Sequence, residues 1–285
     1  MKLRTLLELG RVSNLPTVWT NMTAGWLLGG GGSPGFAFWL TLLGGSLLYL
    51  SGMAMNDACD AAWDKKHKGD RPIVQGQVSR SMVWALTFIY GLGGAASAIL
   101  GGGACPYLVG GLALVITLYN VLHKHWAGST WFMGSCRWLL YCVAASAAAN
   151  GGSPTTESLI WGGALGLYVV GLTYVARGES TGASLIRWPL ALLAAPLVCA
   201  VGFSIYNWSP WMLPFAAVFA AWVGWALKIL KSGEKARIGK AVGWLLAGMV
   251  IIDALAVSAG WPYLALLLVV SCPLLILFQR IVAAT

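Results

Sequence analysis

The chain has 285 residues, is 58% hydrophobic with a mean hydropathy of +0.75, and carries only 9% charged residues, a composition that excludes an ordinary soluble domain. Its net charge of +9 needs no nucleic acid, because basic loops beside anionic lipid give the same balance. Cys59, Cys105, Cys136, Cys142, Cys199 and Cys272 form no CxxC pair; they indicate neither a disulfide framework nor a zinc site and read as small apolar fillers between helices.

Apolar runs of the length that crosses a bilayer recur from end to end. Spans are expected near 12–30, 36–56, 81–100, 104–122, 131–149, 157–176, 187–205, 209–229, 240–259 and 262–282. This predicts an all-α polytopic membrane bundle of nine to ten helices around a central cavity, a single domain over residues 1–285 with no soluble appendage. Lys2, Arg4 and Arg11 precede the first span, which lacks an A-x-A-like exit and is expected to stay as an anchor. Asn14 and Asn21, within that span, suit a polar cavity lining or a bond between helices.

The second span runs into "MAMNDACDAAWDKKHKGDRPIVQGQ", residues 53–77. Asp57, Asp60 and Asp64, spaced i, i+3, i+7, share one helical face at the membrane boundary, where like charges repel unless a cation sits between them. Aspartates without His or Cys at ligand spacing favour a hard ion. Mg²⁺ suits, taking one or two carboxylates, several waters and the oxygens of a substrate phosphate. Lys65, Lys66, Lys68 and Arg71 follow and suit the same anion, Arg71 with bidentate geometry. A solvated, inert loop is the plain alternative. Enzymes that transfer phosphoalcohols share a DxxDGxxAR signature, but "AAWD" follows Asp60 here, without that Gly-x-x-Ala-Arg. Asn56 reads equally as a ligand to metal or phosphate and as a helix-end cap.

Further along, Tyr119 and Lys124 close the fourth span, where Lys124 is a candidate to reach the same substrate phosphate. His67, His123 and His125 sit among basic residues and read as solvated loop histidines. Arg137, inside the fifth span, is a site candidate because an intramembrane charge is costly and faces a partner or cavity. Asp253, in the ninth, suits helix pairing or a neutral acid as well as function, and is left out of the catalytic set. Trp39, Trp126, Trp131, Trp161, Trp208, Trp211 and Trp261 read as interfacial anchors. The alternate loops after even-numbered spans, with Arg177, Arg187, Lys228, Lys231, Lys235, Arg237 and Lys240, hold the basic residues, whereas the opposite loops carry one charge, Glu157. By the positive-inside rule the N-terminus and the site face the cytoplasm, in an inner or plasma membrane.

"NDACDAAWDKKHKGDRPIVQGQVS" resembles the first aspartate-rich motif of the UbiA superfamily of intramembrane prenyltransferases, NDxxDxxxD followed by Arg-Pro, Gly and Ser. "RVSNLPTVWTNMTAG" and "YNVLHK" fit the same family, and "MGSCRWLLY" with "TYVARGES" is similar to its EboC-like branch. The resemblance implies Mg²⁺-dependent transfer of an isoprenoid chain from a prenyl diphosphate to a small acceptor within the bilayer, with a cyclitol or other non-aromatic hydroxyl compound as a plausible acceptor. It implies Asp57, Asp60 and Asp64 as metal ligands. Where relatives carry a second acidic motif, near DxxxD, this chain reads "YVARGESTGAS". Arg177 is then expected to contact diphosphate in place of a second Mg²⁺, and Glu179 to be a distant ligand or the partner that orients Arg177 or Lys124. The tenth span exceeds the usual nine. Competing readings are a terpene cyclase on the same metal site and a non-catalytic transporter or lipid-binding scaffold.

Overall fold

The computed structural model describes residues 3–67, 69, 71–181, 188–207, 209–230 and 235–281. A short helix α1 (Leu3–Leu9) precedes ten longer ones: α2 (Leu15–Leu28), α3 (Phe36–His67), α4 (Arg80–Ala96), α5 (Pro106–Leu122), α6 (Thr130–Ala148), α7 (Thr156–Thr181), α8 (Ala195–Asn207), α9 (Met212–Leu230), α10 (Lys235–Val257) and α11 (Pro262–Ile281). Each expected span has its helix, and among the described residues seven are long and apolar enough to cross a membrane. Local signals set the starts. Pro16 and Pro106 stand in the first turns of α2 and α5, where a missing N–H costs nothing, and the Ser79 hydroxyl accepts the Met82 N–H at 3.2 Å to cap α4.

One boundary matters for function. The second expected span, 36–56, continues as one helix to His67, so the aspartates lie on a helix rather than in a loop, and it ends shortly before Gly69, a weak helix former, and Pro72, whose ring breaks a helix. Asp57, Asp60 and Asp64 all fall on its buried face, at 3%, 7% and 4% exposure. Packed against that stretch is a small apolar cluster of Leu9, Ala54, Ala58, Val78 and Val83, which ties α1 and the chain after Arg71 to α3.

Within the bilayer apolar surface gains nothing by leaving lipid, so helices associate through close backbone approach. A Cβ on Gly134 of α6 would lie 2.5 Å from the Gly166 carbonyl oxygen of α7, and one on Gly44 of α3 would lie 2.8 Å from the Ala98 nitrogen. Gly134→Ala is therefore expected to cost about 1–3 kcal/mol and to lower the thermal midpoint in detergent. Gly163→Ala, where a Cβ meets nothing within 4 Å, leaves it unchanged. Equal midpoints for the two variants would refute the close-packing account. α10 forms the centre of one core, flanked by α7, α9 and α11, while α4, α8, α9 and α11 turn large apolar side chains such as Phe88, Val198 and Leu267 outward. Trp39, Trp126, Trp131, Trp211 and Trp261 are exposed, but Trp161 is buried at 1% in the core, a correction to its reading as an anchor, and Trp208 lies outside the described residues.

Candidate active site

The polar end of α3 gathers side chains from four other parts of the chain. Arg11, between α1 and α2, adopts a left-handed backbone at φ 41°, which is costly for a residue with a Cβ. In that conformation its Nη2 donates to Asn56 Oδ1 at 3.0 Å and lies 3.4 Å from Asp57 Oδ1, while its carbonyl accepts the Tyr49 hydroxyl at 3.2 Å. Arg71 approaches the same Asp57 oxygen at 3.9 Å. From the end of α5, His123 Nε2 and Lys124 Nζ each lie 3.1 Å from Asp60 Oδ2, and Lys124 also sits 3.8 Å over the Trp63 ring.

Amides align this frame. Asn56 Nδ2 donates to Asn120 Oδ1 at 3.0 Å, and Asn120 donates to the Gly52 carbonyl at 3.2 Å, pinning α5 to α3 just below the carboxylates. Tyr119 stacks on His123 with centroids 5.1 Å apart. Arg177, near the end of α7, donates from Nη1 to the His123 carbonyl at 2.6 Å and is 3.5 Å from Ser129 Oγ. It therefore holds the turn that presents His123 and Lys124.

Below this end lies a cavity of about 80 Å³ between α2, α3, α5 and α6, with Tyr49, Met53, Ile116, Tyr119, Asn120 and Arg137 among its lining. Asn14 is buried at the start of α2, within hydrogen-bond reach of Tyr49. Asn21 does not line the cavity: it is fully buried and bonded between Arg137 and Asp253. The Glu179 side chain lies outside the described residues. The reading of all three histidines as solvated fails at His123, whose ring is turned inward onto Asp60. Arg11 and Asn120 were absent from the expected site. Arg11 reads from sequence only as a topology charge, and the clue to His123 is its place one helical turn after Tyr119.

The donor set fits a hard cation. Asp57 Oδ2 is buried without a hydrogen-bond partner, and Asp57, Asp60 and Asp64 offer oxygen ligands on one face. Among the described residues no three acidic, His or Cys side chains converge closely enough to hold a metal by themselves.

The model of the UbiA prenyltransferase family matches residues 17–246, a stretch that contains the carboxylate helix and the α5–α6 turn. The chain belongs to the UbiA prenyltransferase family. The fold agrees. A UbiA homologue from Aeropyrum pernix K1, solved without ligand, aligns with a TM-score of 0.66 at 20% identity, over 86% of this chain and 96% of that one. A structure described under the biosynthesis of digeranylgeranylglyceryl phosphate synthase in membranes aligns with a TM-score of 0.65 at 18% identity, over 90% and 98%. A UbiA homologue from Archaeoglobus fulgidus bound to GPP and Mg²⁺ gives 0.52 at 14% identity, over 99% and 100%. No curated protein matches the sequence. At these identities the structural likenesses speak for a shared fold; the membership rests on the family model.

Proposed function

We propose that this UbiA-family enzyme transfers an isoprenoid group from a prenyl diphosphate to a small polar acceptor inside the membrane, with Mg²⁺ at Asp57 and Asp60. The observation that carries this reading is the juxtaposition of buried, same-face carboxylates and five basic side chains, Arg11, Arg71, His123, Lys124 and Arg177, above a cavity with apolar walls. The neighbours named for GPP with Mg²⁺ and for DMAPP with Mg²⁺ support the same donor class and ion.

When bound, Mg²⁺ supplies Lewis-acid stabilisation of the charge that accumulates on diphosphate as the allylic C–O bond breaks. The chain's own residues do the rest. Asp57, Asp60 and, directly or through water, Asp64 hold the ion. Arg11, Arg71 and Lys124 exchange their carboxylate contacts for diphosphate oxygens and neutralise the leaving group where its charge develops. The cavity keeps water from the allylic cation, and the Tyr49 and Tyr119 rings offer it π faces. Arg137 and Asn120 are polar parts of the cavity wall, with Asn21 bonded behind Arg137, Asn56 behind Asn120 and Asn14 beside Tyr49, and Glu179 remains a proposed partner for the basic turn.

Protein reconstituted in nanodiscs is expected to release diphosphate from dimethylallyl, geranyl or geranylgeranyl diphosphate with Mg²⁺ and to stop when EDTA removes it. Absence of release from all three donors would refute the reading. Hydrocarbon formed with no acceptor present would select a cyclase instead.

We also propose that the carboxylate end is cytoplasmic, in an inner or plasma membrane, because Arg4, Arg11, Arg71, Lys124 and Arg177 gather there while the loops 29–35, 102–105 and 149–155 have neither Lys nor Arg. Labelling of intact cells with an impermeant maleimide is expected to reach a cysteine at Ser153 and to spare one at Lys66. The opposite pattern inverts the orientation.

A further inference from the structure

Arg137 lies seven residues into α6, roughly 10 Å along the axis from its Thr130 end. A charge at such depth demands a partner or a cavity, and Arg137 has both. Its Nη1 donates to Asn21 Oδ1 at 2.7 Å and its Nη2 to Thr17 Oγ1 at 3.0 Å. Asn21 passes the contact on, donating from Nδ2 to Asp253 Oδ2 at 2.7 Å, and the other carboxylate oxygen accepts the Tyr141 hydroxyl. Only one orientation of the Asn21 amide serves a guanidinium on one side and a carboxylate on the other. Asn21 and Asp253 are completely enclosed, but the Arg137 side chain forms part of the cavity wall.

That arrangement differs from a sealed structural ion pair. An amide separates the two charges, so both donor contacts of Arg137 go to neutral oxygens, and the guanidinium carries more donor hydrogens than these bonds use. Among the described lining residues Arg137 is the one charged group. Gly45, on the same wall, precedes Asp57 by twelve residues, so the cavity extends roughly 18 Å below the carboxylates along α3.

We infer that Arg137 is the recognition point for the acceptor, binding a hydroxyl or carbonyl oxygen of an uncharged polar compound, and that Asp253 acts through Asn21 as its positioning residue. This rests on the reading that prenyl transfer takes place in this cavity. An uncharged compound follows from the charge count: both Asp253 oxygens act as acceptors, from Asn21 and Tyr141, which makes the carboxylate the counter-charge of Arg137, so an anionic acceptor adds a buried negative charge beneath the diphosphate, whereas a neutral oxygen satisfies the donors without one.

The test uses the full-length protein in nanodiscs, with myo-inositol as the uncharged probe and para-hydroxybenzoate and glycerol phosphate as anionic ones. Saturation-transfer NMR without donor reads probe binding, and steady-state kinetics with geranyl diphosphate and Mg²⁺ read KM for each substrate. Wild-type protein is expected to bind myo-inositol in preference to both anions. Arg137→Lys keeps the charge but loses the planar fork, and Asp253→Asn keeps the shape but removes the counter-charge. Each is expected to raise KM for myo-inositol about tenfold, with a smaller change in kcat and no change in KM for the donor. If Arg137→Lys does not fold, Asp253→Asn carries the same comparison. Absence of myo-inositol binding, preference for an anion, or equal shifts in donor and acceptor KM, as a purely structural role produces, overturns the inference. If the donor is never consumed but the variants lose myo-inositol binding, the transfer reading falls and the polar subsite stands; if the donor is consumed and myo-inositol does not bind, only the subsite falls.

Discussion

Asp57→Asn and Asp60→Asn are each expected to reduce Mg²⁺-dependent diphosphate release by on the order of 10²–10³, the scale seen when one preorganised group facing transition-state charge is removed. The substitution is nearly isosteric and keeps one oxygen as acceptor, so its effect is on charge. At Asp57 it leaves Arg11 and Arg71 without their carboxylate, and at Asp60 it does the same to His123 and Lys124. Because those cations are thereby released, loss of activity need not be loss of affinity for diphosphate. Inorganic pyrophosphate is expected still to bind, but no longer more tightly when Mg²⁺ is added. The thermal midpoint is expected to fall as well, since each variant leaves largely buried basic side chains without their counter-charge. Measurements of Mg²⁺-dependent turnover, pyrophosphate affinity with and without Mg²⁺, and the thermal midpoint separate these effects. Wild-type turnover in either variant rules out the proposed metal ligands. Asp64→Asn should show the smaller loss expected of a ligand acting through water, and Ca²⁺ should replace Mg²⁺ poorly because the two ions demand different coordination geometry.

The second large effect is expected at Arg177. Lysine there keeps the charge but cannot hold the His123 carbonyl, approach Ser129 and still present a second N–H to a diphosphate oxygen, so Arg177→Lys is expected to lower turnover about tenfold or more, given the roughly 1.5–3 kcal/mol of a charged hydrogen bond. The bond to the His123 carbonyl adds a route that charge alone does not provide. Arg177 stands behind the turn that sets His123 and Lys124 on Asp60, so part of the loss is expected as poorer placement of that turn. Arg177→Asp, which restores an acid where relatives of this family are expected to have one, should remain inactive even at high Mg²⁺. If it is active with a steeper Mg²⁺ dependence, two metal ions operate here and the substitution of a fixed cation for the second one is wrong.

What the sequence by itself determined is everything written in local period and composition. Apolar runs of bilayer length placed all ten long helices, because in lipid each helix satisfies its own backbone and its position depends little on its neighbours. The 3.6-residue period put Asp57, Asp60 and Asp64 on one face before any fold was known, and the same motif carried the resemblance that the family model bears out. The local reading stopped at contacts that no period encodes. Arg11 enters the site through a single left-handed residue that reverses its direction onto Asn56, and His123 turns inward because Asn120 and Arg177 fix the turn around it. Trp161 is in the core because its helix packs against α8, and only that packing distinguishes it from a belt tryptophan. Asn21 and Asp253 stand 232 positions apart, and each alone reads as a stray polar group in a span. Only the packing of α2 against both α6 and α10 joins them to Arg137, since burying either one in lipid without the other would leave a polar group unsatisfied.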